Sequence, residues 1–180
     1  MVEGTVGNAT IAAMCVTLSI CLFLPVIILL IYALKNKKQG IVKAWFLGAA
    51  GFFVTQFVIR MPIISVISLA PGFVSFVENH YLIYVIVLAF TAGLFELAGR
   101  YAVAKIMVKE LTFKKSIAAG LGHGGIEAII VIGMTYLNNL LYIGMINSGA
   151  FDGIVEQTAA LGVDTASLIA IKDALIDTNS

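Results

Sequence analysis

Four long apolar runs decide what this chain can fold into. They cover Ile11 to Leu34, Trp45 to Leu69, Tyr81 to about Ile106, and Ser116 to about Ile146. Each reaches the roughly 20 residues that a helix needs to cross a hydrocarbon core about 30 Å thick. Hydrophobic residues make up 61% of the 180-residue chain, and the mean hydropathy is +1.04. A soluble domain of that size has no interior large enough to hide so much apolar surface. A spanning run must also satisfy its own backbone polar groups, which leaves helices as the structure for runs of this length. The expected fold is therefore all-α. It is a polytopic helical membrane bundle over residues 1–147 with four transmembrane helices, followed by an extracytoplasmic segment over 148–180.

The connections between the runs set an expected orientation. The first carries Lys35, Lys37, Lys38 and Lys43, and the third carries Lys109, Lys114 and Lys115 beside Glu110. The second, Ala70 to His80, holds Glu78 and no lysine or arginine. By the positive-inside rule the first and third connections face the cytoplasm, and the N-terminus and the C-terminal tail lie outside it. The tail is acidic, with Asp152, Glu156, Asp164, Asp173 and Asp177 against Lys172. Its scattered Leu, Ile and Val residues predict one or two short helices near the outer surface. Its polar end, Thr178-Asn179-Ser180, reads as an unfinished connection. No cleavable leader is expected, because residues 1–10 contain Glu3 and no basic residue, and the apolar run that follows is too long for a signal core. Cys15 and Cys21, six apart, face different sides of one helix and do not suit a disulfide. Net charge is +1 with no basic patch, so nucleic acid is not an expected partner.

The few charges inside the runs gather at one depth. Glu96 and Arg100 are four apart in the third run, and His123 and Glu127 are four apart in the fourth, so each pair shares a helix face. Counting from Lys105, Glu96 lies about 13 Å and Arg100 about 8 Å into the bilayer; counting from Ser116, His123 lies about 11 Å and Glu127 about 16 Å in. Gln56 and Arg60 form a further pair in the second run, with Arg60 near mid-membrane, and Asn138 extends the stripe beyond Glu127. Ionisable groups at this depth are costly and mark functional sites by default. Arg60 and Arg100 balance Glu96 and Glu127, which leaves His123 as the titratable extra. The structural expectations beside this are a snorkelling Arg100, an Arg60–Glu127 ion pair, and Asn138 and Asn139 as interhelical hydrogen-bond glue. Gly120 and Gly124 make a small-xxx-small face, with Gly93 and Gly99 around Glu96, which would bring the third and fourth helices together. Pro62, after Arg60-Met61, is placed to bend the second helix.

Phe95-Glu96-Leu97-Ala98-Gly99-Arg100-Tyr101 followed by Gly122-His123-Gly124-Gly125-Ile126-Glu127-Ala128 resembles the YhfC family of bacterial membrane proteins over roughly residues 10–150. That family is considered a distant relative of the CAAX-processing and bacteriocin-processing (CPBP) intramembrane proteases and of PrsW. Glu96 and Arg100 match the shared Glu-x-x-x-Arg motif, with Phe95 where the CAAX enzymes often carry a second Glu. His123 matches the next motif, with Ala119 in place of the Phe four before it, and Glu127 fits a His-x-x-x-Glu form. A later His motif has no counterpart, since no His follows His123; the resemblance thus implies a chain lacking the family's C-terminal part. It further implies a membrane-embedded peptidase of the bacterial plasma membrane, acting on a membrane-embedded or membrane-adjacent peptide. Glu96 would be general base on water, Arg100 would hold Glu96, and His123 would position the water or the oxyanion, with Glu127 beside them. No cofactor is required by that scheme. Zinc enters in a metalloprotease variant with His123, Glu127 and Glu96 as ligands, ranked lower because His80, the other histidine, sits at the outer rim.

The rival class is a small proton- or ion-coupled transporter or substrate-binding subunit using Glu96, His123 and Glu127 as a relay. No inverted repeat supports it. A purely structural assembly subunit is the third reading.

Overall fold

A computed structural model describes residues 4–37, 39–107 and 109–178. Glu3, Lys38 and Asn179-Ser180, which enter the sequence argument, lie outside the described residues. The described chain is helical throughout its ordered elements. Four helices are long and apolar enough to cross a membrane: α1 (Asn8–Lys35), α2 (Ile41–Ser68), α4 (Tyr81–Ile106) and α5 (Phe113–Ser148). The short helix α3 (Phe73–Asn79) lies in the second connection, and the tail forms α6 (Ala150–Ala160) and α7 (Ala166–Asp177). This is an all-α, multi-pass membrane protein. Large apolar side chains such as Phe23, Leu30, Val66, Phe90 and Leu97 stand exposed along the long helices, where acyl chains rather than protein must cover them.

Local chemistry sets the helix ends. Gly40 precedes α2 and Gly149 separates α5 from α6, both with positive φ, at 68° and 76°, a conformation that costs glycine nothing. Thr112 caps α5, its hydroxyl accepting from the Lys115 amide at 3.3 Å. Two of the long helices contain a wide, π-helical turn. In α2 it covers Val54–Arg60 and ends just before Pro62, whose missing N–H and ring disturb the preceding α-helical register. In α5 it covers Ala128–Gly133, directly after Glu127. The first irregular turn thus ends at Arg60 and the second starts one residue past Glu127.

The chain divides into two compact units. One comprises residues 1–24 and 129–180, the other residues 25–128. In the first, Phe151 and Ile143 are almost fully buried, with Val6, Met14, Ile146 and Leu175 around them. Asn147 clamps the start of the chain: its Oδ1 accepts from the Val6 amide at 2.8 Å, and its Nδ2 donates to the Val6 carbonyl at 3.0 Å. Lys172 pairs with Asp152 between α7 and α6.

The second unit contains every candidate site residue except Asn138. Its main contact is α2 against α5, with α2 against α4 second; α4 and α5 barely meet. This differs from the expectation that glycines would press the Glu96 helix onto the His123 helix. Gly120, Gly124 and Gly93 face open space. The close approaches are made elsewhere. A Cβ on Gly122 would lie 1.9 Å from the Trp45 carbonyl oxygen, and one on Gly48 would lie 1.9 Å from that of Ala119. Gly51 and Gly99 bring α2 onto α4 in the same way, a Gly99 Cβ meeting the Gly51 carbonyl oxygen at 2.9 Å. Helix α2 is therefore the shared wall, and the two motif helices lean on it from different sides.

Candidate active site

Glu96 and Arg100 face the same side of α4 and form an ion pair, Nη2 to Oε2 at 3.1 Å. The contact is single rather than bidentate. The Glu96 side chain is 27% exposed and that of Arg100 59%, so Arg100 reaches out from the helix while holding the carboxylate behind it.

His123 sits differently. It is 3% exposed, held in place by the edge of Phe52 with ring centroids 5.0 Å apart. Its Nε2 is sealed from the surroundings and has no hydrogen-bond partner among the described residues. A buried polar nitrogen left unbonded is uncommon and points to a role beyond packing. The approach of Gly122 to Trp45 seats this stretch of α5 deep against α2, and the ring of Trp45 also lies over Gly125.

Arg100 and His123 line one cavity of about 210 Å³. Gly48 and Ala119 form its wall, and Met107, Leu111 and Ser116 extend it toward the lysine-bearing ends of α4 and α5. No hydrogen bond joins Glu96 directly to His123 among the described residues. Glu127 is half-buried, with neither an ion pair nor a side-chain hydrogen bond among them.

Arg60 stands apart from this group. The expected Arg60–Glu127 ion pair is absent among the described residues. The guanidinium instead donates from Nη1 to Gln56 Oε1 at 3.3 Å and from Nη2 to the Leu88 carbonyl at 2.8 Å. Gln56, itself buried, donates to the Ala92 carbonyl at 3.0 Å. Arg60 and Gln56 thus tie α2 to α4 through backbone acceptors. Asn138 is exposed and Asn139 half-buried, and neither side chain makes a hydrogen bond among the described residues. Beside the expected residues, the geometry adds Phe52, Trp45, Gly48 and Gly122 as the groups that seat His123. The small residues at Ala44 and Gly48, four apart on α2, carried that signal.

The family model for the YhfC intramembrane metalloprotease matches residues 20–175. The chain belongs to the YhfC family. It is 32% identical over 152 residues to the uncharacterized membrane protein YhfC of Bacillus subtilis (strain 168). The match covers 84% of this chain and 57% of that relative, so the chain spans little more than half the relative's length. No solved structure matches.

The family description implies a metal, and the donor set tests that. Catalytic zinc takes three protein ligands and leaves one position open. His123 Nε2 is buried and unbonded, which suits one ligand. Among the described residues, however, no group of three His, Cys, Asp or Glu side chains is placed to hold an ion. His80, at the start of α4, is at the other end of that helix from Arg100. The described residues therefore do not complete a zinc site by themselves.

Proposed function

We propose that this YhfC-family chain carries the core of a membrane-embedded peptidase acting on a membrane-embedded or membrane-adjacent peptide. The observation that carries the reading is the cavity that a buried, unbonded histidine shares with Arg100, the ion-pair partner of Glu96. Hydrolysis of a peptide bond needs a base to take a proton from water and a group to steady the oxyanion. Glu96 is the base in this reading. Arg100 fixes one carboxylate oxygen and leaves the other free for water. His123 Nε2, sealed in the free protein, would have to turn into the cavity past Phe52 to meet the water or the carbonyl oxygen. Glu127 lies one turn further along α5. The cavity's extension toward Met107 and Ser116 provides the route for an extended peptide. The lysine-bearing connections put that end in the cytoplasm by the positive-inside rule.

The test uses protein over the whole length its gene encodes, reconstituted in bilayers. The probes are single-span peptides with a fluorophore and a quencher on opposite sides of the apolar segment. Cleavage that falls at least about a hundredfold on His123→Ala, with folding intact, supports the reading. Cleavage unaffected by that change would remove His123 from the chemistry.

A second reading follows from the family description and the free Nε2 of His123, a metal-dependent peptidase in which His123 and Glu127 supply part of the ligand set. Chelation separates the two, because only the second loses activity when metal is withdrawn and regains it on zinc addition.

A further inference from the structure

The net charge of +1 conceals a local excess of lysine at one end of the unit formed by residues 25–128. Across residues 35–43 and 105–116 the one acidic side chain is Glu110. It already holds Lys115 at 3.1 Å and Lys43 at 3.7 Å. Lys105 lies over the Tyr101 ring, 5.3 Å from its centroid. Lys35, Lys37, Lys109 and Lys114 are exposed, and none has a carboxylate partner among the described residues. The two connections that carry these lysines are tied together. The Tyr32 hydroxyl donates to the Lys114 carbonyl at 3.3 Å, and Gly40 lies under the Lys115 side chain. The positive charge is therefore gathered in one place rather than spread over separate loops.

We infer that this lysine cluster binds the headgroups of anionic phospholipids. Positive charge alone would suit any anion; the neighbouring side chains select a lipid. Leu34, Ile106 and Phe113 adjoin Lys35, Lys105 and Lys114 in the chain, and they are 63%, 70% and 80% exposed. One phospholipid meets both needs, its headgroup on a lysine and its acyl chains against the apolar neighbour. A dissolved phosphate would leave those apolar side chains uncovered, and an acidic peptide would cover them only by entering the bilayer. The level agrees. Lys35 and Lys105 lie in the last turns of α1 and α4, and Lys43 and Lys114 lie in the first turns of α2 and α5. The charges thus stand where the spans leave the hydrocarbon, beside the headgroups. Lysine clusters of this size next to a span attract anionic lipid. The inference goes beyond the peptidase reading and stands without it.

Fluorescence quenching tests it. Trp45, the single tryptophan of the chain, sits one turn into α2 from the lysine-bearing end, and bromine on a nearby acyl chain quenches it. The protein is placed in nanodiscs of phosphatidylcholine with a minor fraction of phosphatidylglycerol. Bromine is carried either by the phosphatidylglycerol or by an equal amount of the phosphatidylcholine. Brominated phosphatidylglycerol should quench as though enriched around the protein about fivefold or more, the worth of one lysine at a membrane surface. High salt should shrink that preference. Lys35→Gln, Lys37→Gln, Lys109→Gln and Lys114→Gln combined should remove it with the fold intact. Glu110→Gln, which frees Lys43 and Lys115, should raise it, an effect of opposite sign that a general loss of folding cannot imitate. Equal quenching by the two brominated lipids would overturn the inference. So would a preference untouched by the four-lysine variant. A preference abolished at constant ionic strength by inorganic phosphate or by a polyglutamate peptide would overturn it too, and would assign the cluster to a dissolved anion or to a peptide.

Discussion

Replacing Gly122 by alanine probes the contact that seats His123. The new Cβ would stand 1.9 Å from the Trp45 carbonyl oxygen and 2.7 Å from its carbon. Ordinary carbon–oxygen contacts begin near 3.3 Å, so α5 must retreat from α2 by about 1.4 Å. The obstacle is backbone on both sides, so no side-chain rotation relieves it. Overpacking of this kind costs about 1–3 kcal/mol. Alanine also favours helix over glycine by about 1 kcal/mol in a helix interior, which hides part of the loss. Gly120→Ala and Gly124→Ala carry the same propensity gain into open space, so the difference between Gly122→Ala and either one isolates the clash. Equilibrium unfolding in mixed detergent micelles should put Gly122→Ala below both by about 1–3 kcal/mol, with the Gly120 and Gly124 variants at or above the parent. Equal stability of all three, or a loss confined to Gly120→Ala, would refute the assignment of the α2–α5 seam.

Gly48→Ala meets the Ala119 carbonyl oxygen at 1.9 Å, and it should reproduce the Gly122 loss in the same unfolding assay. Asn147→Ala removes both hydrogen bonds to Val6 and should cost about 1–3 kcal/mol, read as faster proteolysis near the N-terminus. Glu110 is held below the usual carboxylate range, first by the hydrogen bond from Lys115 and then by the charges of Lys115 and Lys43. A depressed carboxylate stabilises the fold above its unfolded pKa and loses that contribution as pH falls through its folded value. The parent should therefore lose slightly more stability on acidification below pH about 4.5 than Glu110→Gln does, and high salt should shrink the difference because Glu110 is exposed. Reporter fusions at Gly40 and Phe113 should read cytoplasmic, and those at Phe73 and Asp164 extracytoplasmic; a cytoplasmic signal at Asp164 would reverse the proposed orientation.

The spans were legible because bilayer thickness fixes the length of an apolar run, and no other signal competes with it. The Glu96–Arg100 pair was legible because spacing of four settles a shared face within one helix. What lies between helices was less so. Helix rise gives depth but not the direction a residue faces, so counting Arg60 against Glu127 matched their levels while Arg60 turned to Gln56 and Leu88. The same limit misplaced the glycine seam. Gly120 and Gly124 satisfy the spacing rule on α5, yet rotation about the helix axis presents Gly122 instead. The spacing of Ala44 and Gly48 on α2, which the sequence reading passed over, marks the partner that receives it. The burial of His123 followed from that seam, and its apolar wall, Phe52, carried no signal of its own.

Cleavage by the bilayer-reconstituted protein, compared between the parent and Glu96→Gln, bears most directly on the proposed chemistry. Gln keeps the size of the side chain and can still accept from Arg100, but it cannot take a proton from water. A general base contributes about 10²–10⁴-fold. Glu96→Gln should therefore lose at least about a hundredfold in cleavage rate, with insertion and unfolding midpoint unchanged. Full cleavage by Glu96→Gln would contradict the mechanism; loss of proton- or ion-coupled uptake in that variant, with no cleavage by the parent, would put a transporter in its place.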